Sequence, residues 1–380
     1  MQYRKWKSSG EKISALGFGA MRLPMTEGEN PVVDQDRAIS MIRLAIDNGI
    51  NYLDTAWPYH DGLSEEICAK AMEDGYRDKV RIATKMPSWE IKERKDLYFY
   101  LEEQLKRLKV ETIDYYLLHT LTKEHWPRYK DVDYKSFLKE AKEKGWINYY
   151  GFSFHDDLDL FKEIVDDFDW DFVQIQLNLL DENYQAGLEG MKYAQKKGMD
   201  VIIMEPLRGG TLAPVEPGDI LGQILTEAPV HRTMADWSLR YLWNRKEVSL
   251  ILSGMSTEEQ LMQNIQSAEG AEPNSLNNEE LKTLTRIKEY YLSRIKVNCT
   301  QCRYCMPCPT GVNIPEVFWA YNHDSIFDDR GKADFWINDF LSEEQRPSSC
   351  ISCGICLDKC PQNINIPKHM EDVAELLEKD

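Results

Sequence analysis

The chain lacks any apolar stretch of the ~18 residues that a membrane-spanning helix needs. Its opening segment, MQYRKWKSSGEK, is polar and has no apolar run of the kind a secretory leader carries. No block of clustered Lys or Arg occurs, and 64 acidic against 46 basic residues give a formal net charge of -18. Nucleic acid and anionic surfaces would therefore meet net repulsion. These absences lead us to expect a cytoplasmic protein with neither nucleic acid nor membrane as a partner. A dinucleotide fingerprint is also missing: LGFGAMRLP contains G-x-G but not the third glycine of G-x-G-x-x-G.

What the chain does have is cysteine in an unusual arrangement. Of nine cysteines, Cys68 stands alone in LSEEICAKAM and reads as a small buried apolar residue. The other eight form two runs. C-T-Q-C-R-Y-C-M-P-C-P supplies Cys299, Cys302, Cys305 and Cys308; C-I-S-C-G-I-C-L-D-K-C-P supplies Cys350, Cys353, Cys356 and Cys360. The second run matches the C-x2-C-x2-C-x3-C-P spacing in which three thiolates wrap one [4Fe–4S] cubane and the fourth ligates its neighbour. The first departs from it by one residue before its last cysteine. We expect two [4Fe–4S] clusters: Cys299, Cys302, Cys305 and Cys360 on cluster I, and Cys308, Cys350, Cys353 and Cys356 on cluster II. A pair of zinc sites is the alternative, but zinc usually takes two cysteine pairs split by a long loop. In a reducing compartment a disulfide scaffold is disfavoured. Both runs are followed by Asn-Ile-Pro, so they resemble the two halves of a two-cluster ferredoxin module.

Before the cysteines, short apolar segments alternate with amphipathic ones. ALGFG, INYLDTA, VRIATK, IDYYLLH, INYYGFS, FVQIQLN, DVIIMEP and SLILSG read as buried parallel strands. Helical patterns lie between them, among others at 36–48, 93–107, 134–143, 193–197 and 258–268, the last opened by a capping box of Thr257 and Gln260. Eight such units predict an α/β fold, a (β/α)8 TIM barrel, with an open doubly wound sheet as runner-up. We place the barrel at 1–295 and a small α-helical ferredoxin-like domain at 296–380. A barrel demands chemically useful residues where its strands end. Asp54, Lys85, His119, Ser153, Asn178 and Glu205 meet that demand on six successive strands.

The stretches DTAWPY, IATK and YYLLH resemble the aldo-keto reductase superfamily, whose tetrad of Asp, Tyr, Lys and His would fall on Asp54, Tyr59, Lys85 and His119. Together with the cysteine runs, the chain resembles the iron–sulfur branch of that superfamily. The chemistry suits the residue types. Tyrosine titrates near ~10 and is a poor acid at neutral pH; Lys85 beside it would lower that value, Asp54 would hold Lys85, and His119 would align a substrate carbonyl. The resemblance implies a nicotinamide cofactor, NADP(H) or NAD(H), with Ser153 and Gln174 on its carboxamide. It further implies cofactor contacts from Met21, Met204, Pro206, Leu207, Gly209, Gly254, Ser256, Gln260 and Asn264. Three positions depart from the family: Met204 replaces a stacking tyrosine, Phe154 follows Ser153 where many members carry Asn, and Gln260 stands where NADPH-dependent members often place an arginine.

The expected reaction interconverts a small-molecule carbonyl and its alcohol. Nicotinamide moves two electrons and a cluster moves one, so the clusters either pass electrons to or from a ferredoxin or other redox protein, with a flavin such as FMN as a candidate mediator, or are purely structural. A non-catalytic redox sensor is the third alternative. The loop 214–230 reads either as a lid over the cofactor or as plain connection. The aromatic insertion 316–349 reads as packing for the cluster domain. Trp57, Trp89, Trp126 and Phe154 are candidates for the substrate lining.

Overall fold

The structure, a computed structural model, describes residues 1–28, 31–214, 217–299, 301, 303–360 and 362–378. Two antiparallel three-residue strands, β1 (Tyr3–Lys5) and β2 (Lys12–Ser14), open the chain. The barrel repeat follows as β3 (Leu16–Gly19), α1 (Gln35–Asp47), β4 (Tyr52–Asp54), α2 (Ser64–Ala71), β5 (Arg81–Met86), α3 (Arg94–Leu108), β6 (Ile113–Leu121), α4 (Trp126–Asp131), α5 (Tyr134–Glu143), β7 (Ile147–Phe154), α6 (Leu158–Asp167), β8 (Phe172–Gln176), α7 (Gly187–Lys196), β9 (Asp200–Met204), α8 (Asp219–Thr226), α9 (Met234–Trp243), β10 (Leu250–Ser253) and α10 (Glu258–Ser267). Strands β3 to β10 form a closed barrel, parallel throughout; Leu250 pairs with Ile202 on one side of β10 and Ile251 with Leu16 on the other.

Burial explains the strand composition. FVQIQ of β8 and LILS of β10 are buried at every residue, because one face meets the barrel interior and the other meets the helices. The helices show a single buried stripe: in α5 it is Tyr134, Phe137, Leu138 and Ala141, spaced as one face of a 3.6-residue helix. Asp34, Asp133 and Asp157 accept backbone N–H bonds at the N-termini of α1, α5 and α6. At α10 only half of the expected capping box forms. The Gln260 N–H donates to Thr257 Oγ1 at 3.2 Å, but the Gln260 side chain accepts from Ser256 N at 2.9 Å rather than from Thr257.

The N-terminal hairpin was not expected. Its Trp6, 1% exposed, packs with Tyr52, Tyr115 and Phe172 among the residues that begin the strands, and so closes that end of the barrel. The useful polar side chains gather at the opposite end, where the strands finish.

The chain divides into two compact units: Met1–Glu216 with Leu225–Leu281, and Pro217–Ile224 with Lys282–Asp380. The division falls inside α11 (Asn278–Ser293), ahead of the 295/296 boundary read from sequence, and residues 217–224 of the lid-or-connection loop group with the second unit. That unit contains α12 (Ile314–Phe327), α13 (Arg330–Phe335), a π-turn at Trp336–Phe340, α14 (Ile355–Lys359) and α15 (Ile366–Leu377). The insertion supplies its core: Val317, Phe318, Ile337 and Leu341 pack with Ile366, Met370 and Val373. Among the described residues, no helix is long and apolar enough to cross a membrane.

Candidate active site

Three neighbouring strands place the first titratable groups. Asp54 ends β4, Lys85 lies one residue from the end of β5, and His119 sits near the end of β6. The Lys85 ammonium, wholly buried, lies 2.6 Å from Asp54 Oδ2 and donates to the Thr55 carbonyl at 2.7 Å. Tyr59 enters from the turn after β4, its ring centroid 5.0 Å from Lys85 Nζ and 6.1 Å from the His119 ring. The four residues singled out from sequence thus meet at one place.

Their protonation follows from burial and charge. Burial disfavours the Lys85 ammonium, but Asp54 and Tyr59 outweigh it and hold Lys85 above the usual lysine range. Burial pushes the Asp54 carboxyl up, and Lys85 pulls it only part of the way back. Tyr59 departs from the sequence expectation: Lys85 does lower its phenol, but burial is the larger effect, so the phenol lies above its ordinary value of 10.0 and keeps its proton. Burial, then the Lys85 charge, pushes His119 well below 6.5, leaving a neutral imidazole. Its Nδ1 and Asp54 Oδ1 are buried with no hydrogen-bond partner among the described residues.

Beside this group, Ser153 Oγ accepts the Thr120 N–H at 2.7 Å, and Gln174 Nε2 donates to Met204 Sδ at 3.4 Å. Gln174 Oε1 is buried without a partner among the described residues. A carboxamide N–H fits that oxygen, and the Ser153 O–H remains as a donor, so these residues suit a nicotinamide amide. The other expected cofactor contacts occupy the segments after the strand ends and, for Gln260 and Asn264, helix α10. Met21 is exposed, Pro206 is buried, Leu207 is half-buried, and Gly209 and Gly254 are exposed. Ser256 donates its hydroxyl to the Arg22 carbonyl, and Asn264 donates to Ser253 Oγ at 3.1 Å. Gln260 is exposed and carries no cationic group.

Two candidates for the substrate lining are packing residues instead. Trp126 is 2% exposed, donates to Glu163 and packs edge-on against Tyr134; Phe154 is fully buried against Phe152 and Phe161. Trp89 does approach the site, 5.3 Å from the His119 ring.

In the second unit, Cys299, Cys305, Cys308, Cys350, Cys356 and Cys360 are half-buried against its apolar core, and Cys353 is exposed. Cys302 lies outside the described residues. No disulfide joins the described cysteines. Cys308, Cys350, Cys353 and Cys356, the set expected on cluster II, line one cavity together with Cys305. Burial raises the Cys308 thiol, but the Thr310 hydroxyl and the N–H groups of Thr310, Gly311 and Val312 face its sulfur and hold it below the usual thiol range overall. That cradle suits a thiolate, the form that ligates iron. Among the described residues, no three His, Cys, Asp or Glu side chains converge on a single-ion site.

Residues 15–289 match the family model of the aldo/keto reductase family. The chain belongs to that family. Residues 298–364, which contain all eight clustered cysteines, match the 4Fe-4S dicluster domain. This aldo/keto reductase is 29% identical to the uncharacterized oxidoreductase YqkF of Bacillus subtilis over 313 residues, covering 75% of this chain and 95% of that protein. The solved aldo-keto reductase AKR11C1 of Bacillus halodurans, in its holo form, is 27% identical with a TM-score of 0.62, covering 75% of this chain and 96% of that one. An aldo-keto reductase of Klebsiella pneumoniae in complex with NADPH shares the fold at 22% identity and a TM-score of 0.59, covering 76% of this chain and 96% of that one.

The sequence reading of this aldo/keto reductase missed three polar residues near the site. Arg22 runs past Gly254, where a Cβ would lie 3.0 Å from its side chain, and a Cβ on Gly209 would lie 3.3 Å from Arg22 Nη2. Glu65, fully buried, accepts from Thr84 Oγ1 at 2.7 Å and Gln104 Nε2 at 2.8 Å. Arg107 reaches Glu65 Oε2 at 3.4 Å. Arg22 adjoins the named Met21 and was within reach of the sequence; Glu65 and Arg107 sit on helices with no local signal of what they meet.

Proposed function

We propose that this chain is an NAD(P)-dependent oxidoreductase that interconverts a carbonyl and its alcohol at Tyr59, with residues 1–295 as the catalytic barrel and residues 296–380 carrying two [4Fe–4S] clusters. The observation that carries the reading is the buried Lys85–Asp54 pair beside Tyr59.

Each residue acts according to its surroundings. The neutral His119 lies beside Tyr59 and hydrogen-bonds the substrate oxygen, which orients the carbonyl. Tyr59 keeps its proton until reaction and donates its phenolic O–H to the forming alkoxide. Lys85 then stabilises the phenolate left behind, and Asp54 keeps Lys85 charged and in place. Alcohol oxidation runs the same proton transfer backwards. Ser153 and Gln174 hold the nicotinamide carboxamide, and Met204 lies beside them. The nicotinamide, when bound, supplies or takes the hydride at the carbonyl carbon.

Cys299, Cys302, Cys305 and Cys360 hold cluster I, and Cys308, Cys350, Cys353 and Cys356 hold cluster II. Held there, the clusters would supply one-electron transfer to or from a small redox protein. Support for that role comes from Cys353 and its neighbour Ile351, 68% exposed, which put the second run at the unit's own surface. A purely structural role is the second reading, favoured by the packing of six of these cysteines on the apolar core.

The test is Tyr59→Phe in anaerobically prepared holoenzyme, assayed with NADPH and NADH and benzaldehyde as probe carbonyl. Turnover should fall by roughly 10²–10⁴-fold, the usual worth of a general acid, with iron and sulfide content unchanged. Turnover indifferent to the change would contradict the reading and leave the barrel as a nicotinamide-binding sensor.

A further inference from the structure

The turn that carries Tyr59 is strained. His60 (φ 53°) and Asp61 (φ 55°) are left-handed non-glycine residues, and Gly62 (φ 89°) follows. Such conformations persist only where the surroundings impose them. One restraint is the Leu23 N–H, which donates to His60 Nε2 at 3.2 Å. Another is Arg107 on α3. Its guanidinium lies 3.4 Å from the centroid of the Trp57 ring, two residues before Tyr59, and 3.4 Å from Glu65 Oε2. Tyr100, also on α3, meets Trp57 edge-on at 4.9 Å.

Glu65 connects this contact to the strand behind Lys85. Its Oε1 accepts from Gln104 Nε2 at 2.8 Å, and the same Nε2 donates to the Lys85 carbonyl at 2.9 Å. Tyr116 fixes Gln104 by donating to its Oε1 at 2.7 Å. A continuous path therefore runs from the Lys85 backbone through Gln104, Glu65 and Arg107 to the Trp57 ring. The Arg107 side chain is 26% exposed and Glu65 is fully buried, so the Glu65 end of the contact is shielded from solvent.

We propose that Arg107 is a positioning residue: stacked on Trp57 and paired with Glu65, it ties the strained turn to the Lys85 strand and sets where the Tyr59 phenol stands. This inference rests on the hydride-transfer reading of the site. A planar guanidinium is suited to the task because it stacks and pairs at once, which an ammonium does not.

The test compares wild type, Arg107→Met, Arg107→Lys and Tyr59→Phe as full-length holoenzymes, each checked for folding by circular dichroism. Two readouts are taken: amide hydrogen exchange over residues 57–62, and pH-dependent kinetics with NADPH, NADH and benzaldehyde. For Arg107→Met, exchange in the turn should accelerate. The kcat should fall roughly 10- to 100-fold, as for a small misplacement of a reacting group, with the KM for nicotinamide nearly unchanged and the alkaline limb of the pH profile displaced. Arg107→Lys should lose less, and serves as the test variant should Arg107→Met not fold. Unchanged exchange in the turn, or faster exchange with unchanged kcat, would overturn the proposal. Wild-type turnover in Tyr59→Phe would instead remove the hydride-transfer reading, and the role of Arg107 with it.

Discussion

The barrel unit and the cysteine unit hold their candidate site residues by opposite means. In the barrel, Asp54, Lys85 and His119 stand on a closed ladder of eight strands, and Lys85 already has its bonds to Asp54 and Thr55. In the cysteine unit no barrel strand takes part, the core is a patch of side chains from α12 to α15, and the cysteines stand at its edge, half-buried or exposed. A site built on a ladder is set by the backbone before any ligand arrives. A site built on loops around a small core depends on its metal for order.

Removing iron and sulfide gives the largest expected effect. The cysteine unit should lose its cooperative melting transition. The barrel midpoint should move by less than about 3 °C, the shift that ~1 kcal/mol produces in a domain of that size. A barrel that melts together with the stripped unit would break the contrast.

Next comes Lys85→Met. It strips the cation from Asp54, whose site is only 3% exposed, and should cost ~3–5 kcal/mol in denaturant unfolding of the barrel. Adding Asp54→Leu should return most of that loss, while cluster content stays constant throughout. A loss near zero would show that the pair is not what holds the site.

The smallest effect concerns pH. The folded barrel holds His119 neutral well below 6.5, so below about pH 6.5 the unfolded chain binds more protons than the folded one. Barrel stability should therefore decline as pH falls through and below that range. His119→Gln should flatten the decline, as read from urea midpoints across pH. An equal slope in both proteins would contradict the assignment of a neutral His119.

Much of this was legible in the sequence because it is periodic or local. Buried barrel strands of three to nine residues sit in longer apolar segments that announce themselves by composition, and polar residues at or near the strand ends marked Asp54, Lys85 and His119. The cysteine spacing was readable for the same reason. What escaped depends on distant residues meeting. The hairpin at Tyr3–Ser14 has only three residues per strand, too short for a pattern, yet it delivers Trp6 to the barrel end. Phe154 and Trp126 looked like pocket aromatics, but which face of an element points inward is set by packing. Lys85 was expected to lower the Tyr59 phenol, and does, but the opposing burial cannot be seen without the fold. The link from Glu65 to Arg107 to Trp57 joins two helices and a turn, and no spacing rule connects them.

In the proposed reaction hydride passes directly between nicotinamide and substrate beside Tyr59. The most direct measurement uses full-length, cluster-loaded enzyme, nicotinamide carrying deuterium at its transferable position, and benzaldehyde, with the label traced by mass spectrometry. Direct transfer puts the deuterium on the carbinol carbon of the benzyl alcohol formed. Deuterium released to water, with an unlabelled product, would contradict it and point to electrons travelling through a flavin or the clusters instead.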